Sequence, residues 1–244
     1  MTTTEAHRGE DRFERMSAGL HGVLEPQLEV LDAMDRVIAA CVEFTSATEA
    51  GIVLGDPSGT LHVIASTSER TSDAEEAQLG TSEGSCLDCF QTGKTIDVPD
   101  VATRESAWPT FSETMRERGL RGTFAEPVRL RGNVIGCLCL FAEHTDGHDD
   151  GDVVLIQLLA DAASAALVRQ RNGSQTRTFQ EQIDDAIEAR VLVEQAKGAL
   201  SYRRGIQIDE AFQILRRAAH GAGRGMRAMA EDVVRHGADL GTTA

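Results

Sequence analysis

Arg190, Glu194, Lys197, Ser201 and Arg204 are spaced four, three, four and three residues apart, so on a helix they would share one stripe. Val193, Ala196 and Leu200 fall on the neighbouring face. A second basic group, Arg216 and Arg217 with His220, points away from Phe212 and Leu215 at helical spacing, and Arg224 and Arg227 open a third pattern. These residue types suit phosphate. Arginine's planar fork donates two parallel hydrogen bonds and can also stack on an unpaired base. RNA, DNA and an acidic protein would all fit such a patch, and a solvated helix surface is the plain alternative. Gly198, in the middle of the first helix, costs about 1 kcal/mol relative to alanine and marks a place where another backbone could come close. Tyr202, the only tyrosine, could stack on a base, but a partly packed helix residue is the favoured reading.

The whole chain of 244 residues carries a formal charge of -15, which argues against nucleic acid if the charge is spread evenly. It is not. Residues 190–244 hold nine Lys/Arg and six Asp/Glu, whereas residues 1–189 hold 15 and 33. The split predicts two modules with different partners. The longest apolar run, Val134 to Ala142, is too short to span a bilayer. The polar N-terminus reads as neither signal nor anchor. Five cysteines, an odd number, argue against a disulfide framework and for a reducing cytoplasm.

Other constellations carry less. Cys86 and Cys89 (C-x-x-C) and Cys137 and Cys139 (C-x-C, one face of a strand) are four thiols that could converge for a metal or redox role. Burial as small apolar residues is the competing reading, and Cys41 reads as core. Gly93-Lys-Thr95 ends like a phosphate-binding loop, but Asp88 occupies the position of the required glycine. The run His144 to Asp152 lacks calcium-loop spacing and reads as acidity at a helix N-terminus. No G-x-S-x-G elbow and no H-E-x-x-H motif is present, so nothing points to an enzyme.

Helices and strands must position these residues. Residues 1–16 look disordered. A helix runs from about Glu29 to Ser46, then strands Ala50–Leu54 and Leu61–Ser66. Ser68–Leu79 is a polar loop or short helix, Gly84–Thr92 one or two helical turns, and Thr95–Val98 a short strand. A helix over Trp108–Gly119 precedes strands Gly122–Leu130 and Asn133–Phe141 and an amphipathic helix from Asp149 to Arg171. That order predicts an α+β domain over 17–171, an antiparallel sheet with flanking helices. A linker or helical connector over 172–182 leads into an all-α three-helix domain over 183–244. Its apolar seam, Phe179, Ile183, Ala186, Val193, Ala196 and Leu200, could also pair two chains. Gly205 closes its first helix, and Asp209 is the expected N-cap of its second. So small a core needs dimerisation or packing on the first domain.

The run Val191-Leu-Val-Glu-Gln-Ala-Lys-Gly-Ala-Leu200, with Arg203-Arg-Gly-Ile206, Asp209-Glu-Ala-Phe212, Leu215-Arg-Arg217 and Met229-Ala-Glu-Asp-Val-Val234, resembles the ANTAR domain. ANTAR is the three-helix RNA-binding module of bacterial transcription antiterminators. EGSCLDCFQTGKTIDVPD, Ala107-Trp-Pro109 and EPVRLRGNVIGCLCLF resemble a GAF domain of the kind joined to ANTAR in actinobacteria. The resemblance implies a cytoplasmic regulator that, as a homodimer, binds paired hairpin loops in leader transcripts and prevents terminator formation. It also implies that the GAF domain senses a signal, with a possible small-molecule ligand, or holds the dimer. Carried over by position, the motif residues are Gln195, Ala196, Lys197, Gly198, Arg203, Arg216, Arg217 and Arg224; the basic pattern adds Arg204 and Arg227. Two departures, Ala218 where relatives have an aromatic residue and Gly221-Ala-Gly-Arg-Gly225 where they tend to have an asparagine, bear on affinity. The alternative is a small-molecule or redox sensor whose C-terminal helices dimerise or bind a protein partner. A DNA reading fits less well, because the arginine pair lies at the C-terminal end of its helix.

Overall fold

The computed structural model describes residues 23, 25, 28–169 and 178–241. The expected disordered segment 1–16 and positions 172–177 of the expected linker lie outside the described residues.

The chain opens with α1 (Val30–Phe44), β1 (Glu49–Gly55) and β2 (Leu61–Ser66). Three helices come next, α2 (Glu69–Thr81), α3 (Ser85–Thr92) and, after the short strand β3 (Ile96–Val98), α4 (Pro109–Glu117). Then come β4 (Gly122–Leu130), β5 (Asn133–Ala142) and the long helix α5 (Asp150–Arg169). The strands form one antiparallel sheet in the order β2-β1-β5-β4-β3. Arg131 and Gly132, both at positive φ (52° and 86°), make the tight turn between β4 and β5.

Strand alternation sorts the core into two layers. Ile52, Leu54, Phe124, Leu138 and Leu140 face α1 and α5. Val53, Ala125, Cys137, Cys139 and Phe141 face α2, α3 and α4, meeting Ala74, Cys86, Cys89, Trp108, Phe111 and Met115. The α5 window Asp150–Val168 is long and apolar enough to cross a membrane, with a mean hydropathy of 1.6, yet 56% of it is buried within the fold. The acidic run before it acts as a cap: Asp149 Oδ1 accepts the Asp152 amide at 2.7 Å, and Asp152 Oδ2 accepts the Ser46 amide at 3.0 Å.

The polar segment expected as a loop or short helix is the 13-residue α2. Its buried side consists of Thr71, Ser72, Ala74, Glu75 and Gln78, so no apolar period announces it. Ser68 starts it by accepting the Thr71 amide. Glu49, at the head of β1, gathers Thr67 Oγ1 (2.7 Å), Ser68 Oγ (2.7 Å), Thr71 Oγ1 (2.8 Å) and Arg70 Nη2 (2.7 Å). Burial pushes its carboxyl up, but these donors together hold it below its usual range. The N-terminus of α2 is thereby fixed against the sheet.

Beyond α5 lie α6 (Phe179–Arg204), α7 (Ile208–Gly221) and α8 (Met226–Arg235). Their core is continuous with that of the first domain: Ile183, Ala186, Val193, Ala196 and Leu200 belong to one buried cluster with Leu31, Met34, Phe212, Leu215 and Val233. The seam expected as a pairing surface is therefore spent within this chain. Packing onto the first domain supplies the apolar area that the small bundle lacks.

Glu75 is fully buried between α2 and β1, beside Gly51, where a Cβ would overlap the carboxylate. Ser66 Oγ donates to its Oε2 at 2.9 Å. Burial, opposed by that bond and by the nearby Arg190, pushes its pKa up to about 8 from 4.5. The folded chain thus holds a proton that the unfolded chain has released. The resulting stability is full below pH 4.5 and is lost as pH rises through about 8. Glu75→Gln should remove this slope: thermal melts from about pH 5 to about pH 8.5 should show the wild type losing ground to the variant. Parallel curves would refute the assignment.

Candidate RNA-binding surface

α6 begins with a reciprocal capping box, Thr178 Oγ1 accepting the Glu181 amide and Glu181 Oε2 accepting the Thr178 amide at 2.7 Å. It ends at Gly205, whose left-handed conformation (φ 65°) closes the last turn. α7 is N-capped by Gln207, two residues before the expected Asp209. Asp209 and Glu210 instead sit in its first turn, where the helix dipole favours carboxylates. The cap of α8 comes from the other domain: Asp32 Oδ1 on α1 accepts the Met226 amide at 2.7 Å.

The stripe inferred on α6 is present, but its upper members face the first domain. Arg190 is buried, with Nη2 donating to Ser72 Oγ at 2.8 Å and pairing with Glu194 at 2.7 Å. Lys197 has 0% exposure. Its ammonium pairs with Glu69 of α2 and with Glu194 (2.5 Å), and lies 5.3 Å from the Phe212 ring centroid. Arg216 Nη1 donates to the Thr67 carbonyl at 3.1 Å, and its Nε lies 3.5 Å from the buried Asp35. Arg227 lies 3.7 Å from Glu29 and 3.9 Å from Glu231. Lys197 and Arg216, expected to face phosphate, are thus turned inward, because Glu69, Asp35 and the Thr67 carbonyl in the turn before α2 satisfy them there.

The other candidates divide. Arg203 Nη2 donates to the Val233 carbonyl at 2.7 Å, and Arg204 Nε to Asp239 Oδ1 at 2.8 Å, so both tie the end of α6 to α8 and the segment beyond it. Arg224 pairs with Asp232 at 2.5 Å, a hydrogen bond that holds the Asp232 carboxyl below its usual range. Ala196 is buried in the seam. Gln195 and Gly198 are exposed, and a Cβ on Gly198 would meet nothing within 4 Å, so the expected close approach is absent among the described residues. Arg217 is exposed with no ion pair among the described residues. Tyr202, expected as a partly packed helix residue, is instead 90% exposed. Spacing of four, three and four places Val191, Gln195, Gly198 and Tyr202 on one open stripe of α6.

Asp32 and Asp35, which hold the start of α8 and Arg216 of α7, are not signalled by the basic pattern. Burial pushes Asp32 up to about 6, against the pull of the Met226 amide. Asp35 is raised by burial, against the opposing charge of Arg216. A signal for them exists: acidic residues three apart within a helix whose other buried residues are apolar.

The four cysteines do meet between α3 and β5. Cys86 and Cys139 form a disulfide, contrary to the expectation drawn from the odd count, while Cys89 and Cys137 are free and buried. The pairing follows from register, which turns Cys137 and Cys139 toward the face covered by α3. Among the described residues no group of three or more His, Cys, Asp or Glu is arranged to hold a metal ion.

An antiparallel sheet covered on both faces by helices, joined to an arginine-bearing three-helix bundle, defines a two-domain protein of α+β and all-α parts. The GAF domain family matches residues 27–168 and the ANTAR domain family residues 181–234. The chain belongs to the GAF domain family and has the GAF–ANTAR architecture. GAF domains are sensors and ANTAR domains are RNA-binding antitermination modules. Among solved structures, the chain is similar in fold to the GAF domain of a phosphoenolpyruvate-protein phosphotransferase from Coxiella burnetii (TM-score 0.52, 15% identity, 67% of this chain and 96% of that one). The GAF domain of the Acinetobacter phosphoenolpyruvate-protein phosphotransferase is also similar (TM-score 0.51, 13% identity, 72% and 100%). So is a free methionine-R-sulfoxide reductase from Neisseria meningitidis (TM-score 0.50, 17% identity, 67% and 92%). No curated protein matches in sequence.

Arg203→Ala should cost about 1 kcal/mol of stability in urea denaturation, through loss of its bond to the Val233 carbonyl. Unchanged stability would show that the α6–α8 tie is dispensable.

Proposed function

We propose that the chain is a signal-responsive, non-enzymatic RNA-binding antiterminator of the cytoplasm. Its ANTAR helices hold paired hairpin loops of a leader transcript, and the RNA so held cannot form the terminator. The observation that carries this reading is the ANTAR match over residues 181–234, in a segment that also concentrates the chain's positive charge. Phosphate contacts would come from arginines and supply affinity, while loop bases stacked on exposed side chains would supply specificity. Arg217 and Tyr202, both open to solvent, are the best placed for the two roles. Gln195, Gly198 and Arg224 complete the accessible set; Lys197, Arg216 and Arg227 join once freed. Exposed Val154, Leu158 and Val168 on α5, and Val191 on α6, support self-association as a homodimer. The GAF domain is assigned the sensing role, its ligand being a small molecule.

Sequencing of RNA that co-purifies from the host tests the class: recurring paired hairpins ahead of terminators are expected, and bulk RNA without them would count against it. On such an RNA, Arg217→Ala should weaken binding several-fold and lower the salt slope by about one unit. An unchanged slope would remove Arg217 from the interface.

A second reading, a redox sensor, is favoured by the Cys86–Cys139 disulfide beside two free buried thiols. RNA affinity measured with and without a thiol reductant separates the two: a large difference supports redox sensing, and equality leaves the small-molecule reading.

A further inference from the structure

The first domain does more than sit beside the bundle; its acidic groups occupy the bundle's cations. Lys197 is paired with Glu69, Arg216 lies against Asp35 and Thr67, and Arg227 lies near Glu29. Asp32 caps the N-terminus of α8, another place where a phosphate would be favoured. Each contact offers an oxygen where a phosphate oxygen would otherwise go. We propose that this is an autoinhibited state, in which GAF carboxylates mask the ANTAR cations and RNA binding requires the two domains to separate. The inference rests on the RNA-binding reading above and names its regulation.

Three observations carry it beyond simple domain packing. Lys197 has no exposure, so RNA cannot reach it while Glu69 is in place. The cross-domain contacts on these cations are ionic and polar and lie around the apolar seam that the two domains share, so each is an oxygen contact that a phosphate oxygen can replace. Along the same seam runs a groove of about 280 Å³, bordered by Leu28, Asp32, Asp35, His220, Arg224 and Met226, so this part of the junction is not closely packed. The partition of charge between the modules then has a purpose: the acidic domain competes with RNA for the same residues.

The chain provides its own probe. Lys94 and Lys197 are its two lysines, the first exposed and the second buried. Brief acetylation of the full chain with an amine-reactive ester, read by mass spectrometry, should modify Lys94 and spare Lys197. Two variants should release it by different means. Glu69→Gln removes a partner charge at constant shape. Gly225→Ala keeps every charge but places a methyl against Asp32 Oδ2, which a Cβ there would overlap, at a backbone (φ -69°) that alanine tolerates. RNA affinity is read in parallel on a labelled pool of RNAs with two consecutive hairpins and randomised loops.

The expected result is Lys197 labelling that rises toward the Lys94 rate in both variants, with RNA affinity increased at least about fivefold, the lower end of usual coupling between sites. Wild-type Lys197 labelled as fast as Lys94, variants in which it stays protected, or release without a gain in affinity would each overturn the inference. Release with no RNA bound by any form at low salt would instead overturn the RNA-binding reading, and this regulation with it.

Discussion

A lysine ammonium with no contact with water must be neutralised where it lies, because an unpaired buried charge is not tolerated. Lys197 meets that demand with one carboxylate from its own helix, Glu194, and one from the other domain, Glu69. Much of the junction is arranged to make this pair possible. Glu49 gathers Thr67, Ser68, Arg70 and Thr71 and so sets where α2 begins, which sets where Glu69 stands. The same turn presents the Thr67 carbonyl to Arg216. Asp32 and Asp35 on α1 hold the start of α8 and Arg216 of α7. The two domains are therefore joined by polar contacts around an apolar seam.

How much of this is legible in the sequence depends on what each element buries. β4, β5 and α5 bury apolar side chains at regular period and can be read nearly to the residue. α6 to α8 are readable because Gly205 and an apolar seam mark them. α2 is not, because its buried side is Thr71, Ser72, Glu75 and Gln78, polar residues whose partners are distant in sequence. The same limit governs the candidate site. Spacing places Arg190, Glu194 and Lys197 on one stripe correctly, but a stripe of charges looks alike whether it meets water, phosphate or a carboxylate from another domain. Glu69 and Ser72 are the missing half of that information, more than 100 residues away in the chain.

The net charge of -15 also changes meaning once the contacts are known. In the sequence it marks two modules with different partners. In the structure part of the acidic excess is turned on the basic module itself. Tyr202 and Arg217 remain outside that arrangement, open to solvent, and under the proposed function they would be the surface that RNA reaches first. A loose first encounter there, followed by exchange of carboxylate for phosphate at Lys197 and Arg216, would make sensing and binding compete for one set of residues.

Hydrogen exchange on the full chain, with and without the RNA that co-purifies with it, tests that competition most directly. Bound RNA should slow exchange across residues 195–228 while speeding it in the facing parts of α1 and of α2 with the turn before it, residues 30–36 and 67–75, as the domains part. Slowing in the C-terminal helices with α1 and α2 unchanged would contradict it, since RNA would then bind without displacing the carboxylates.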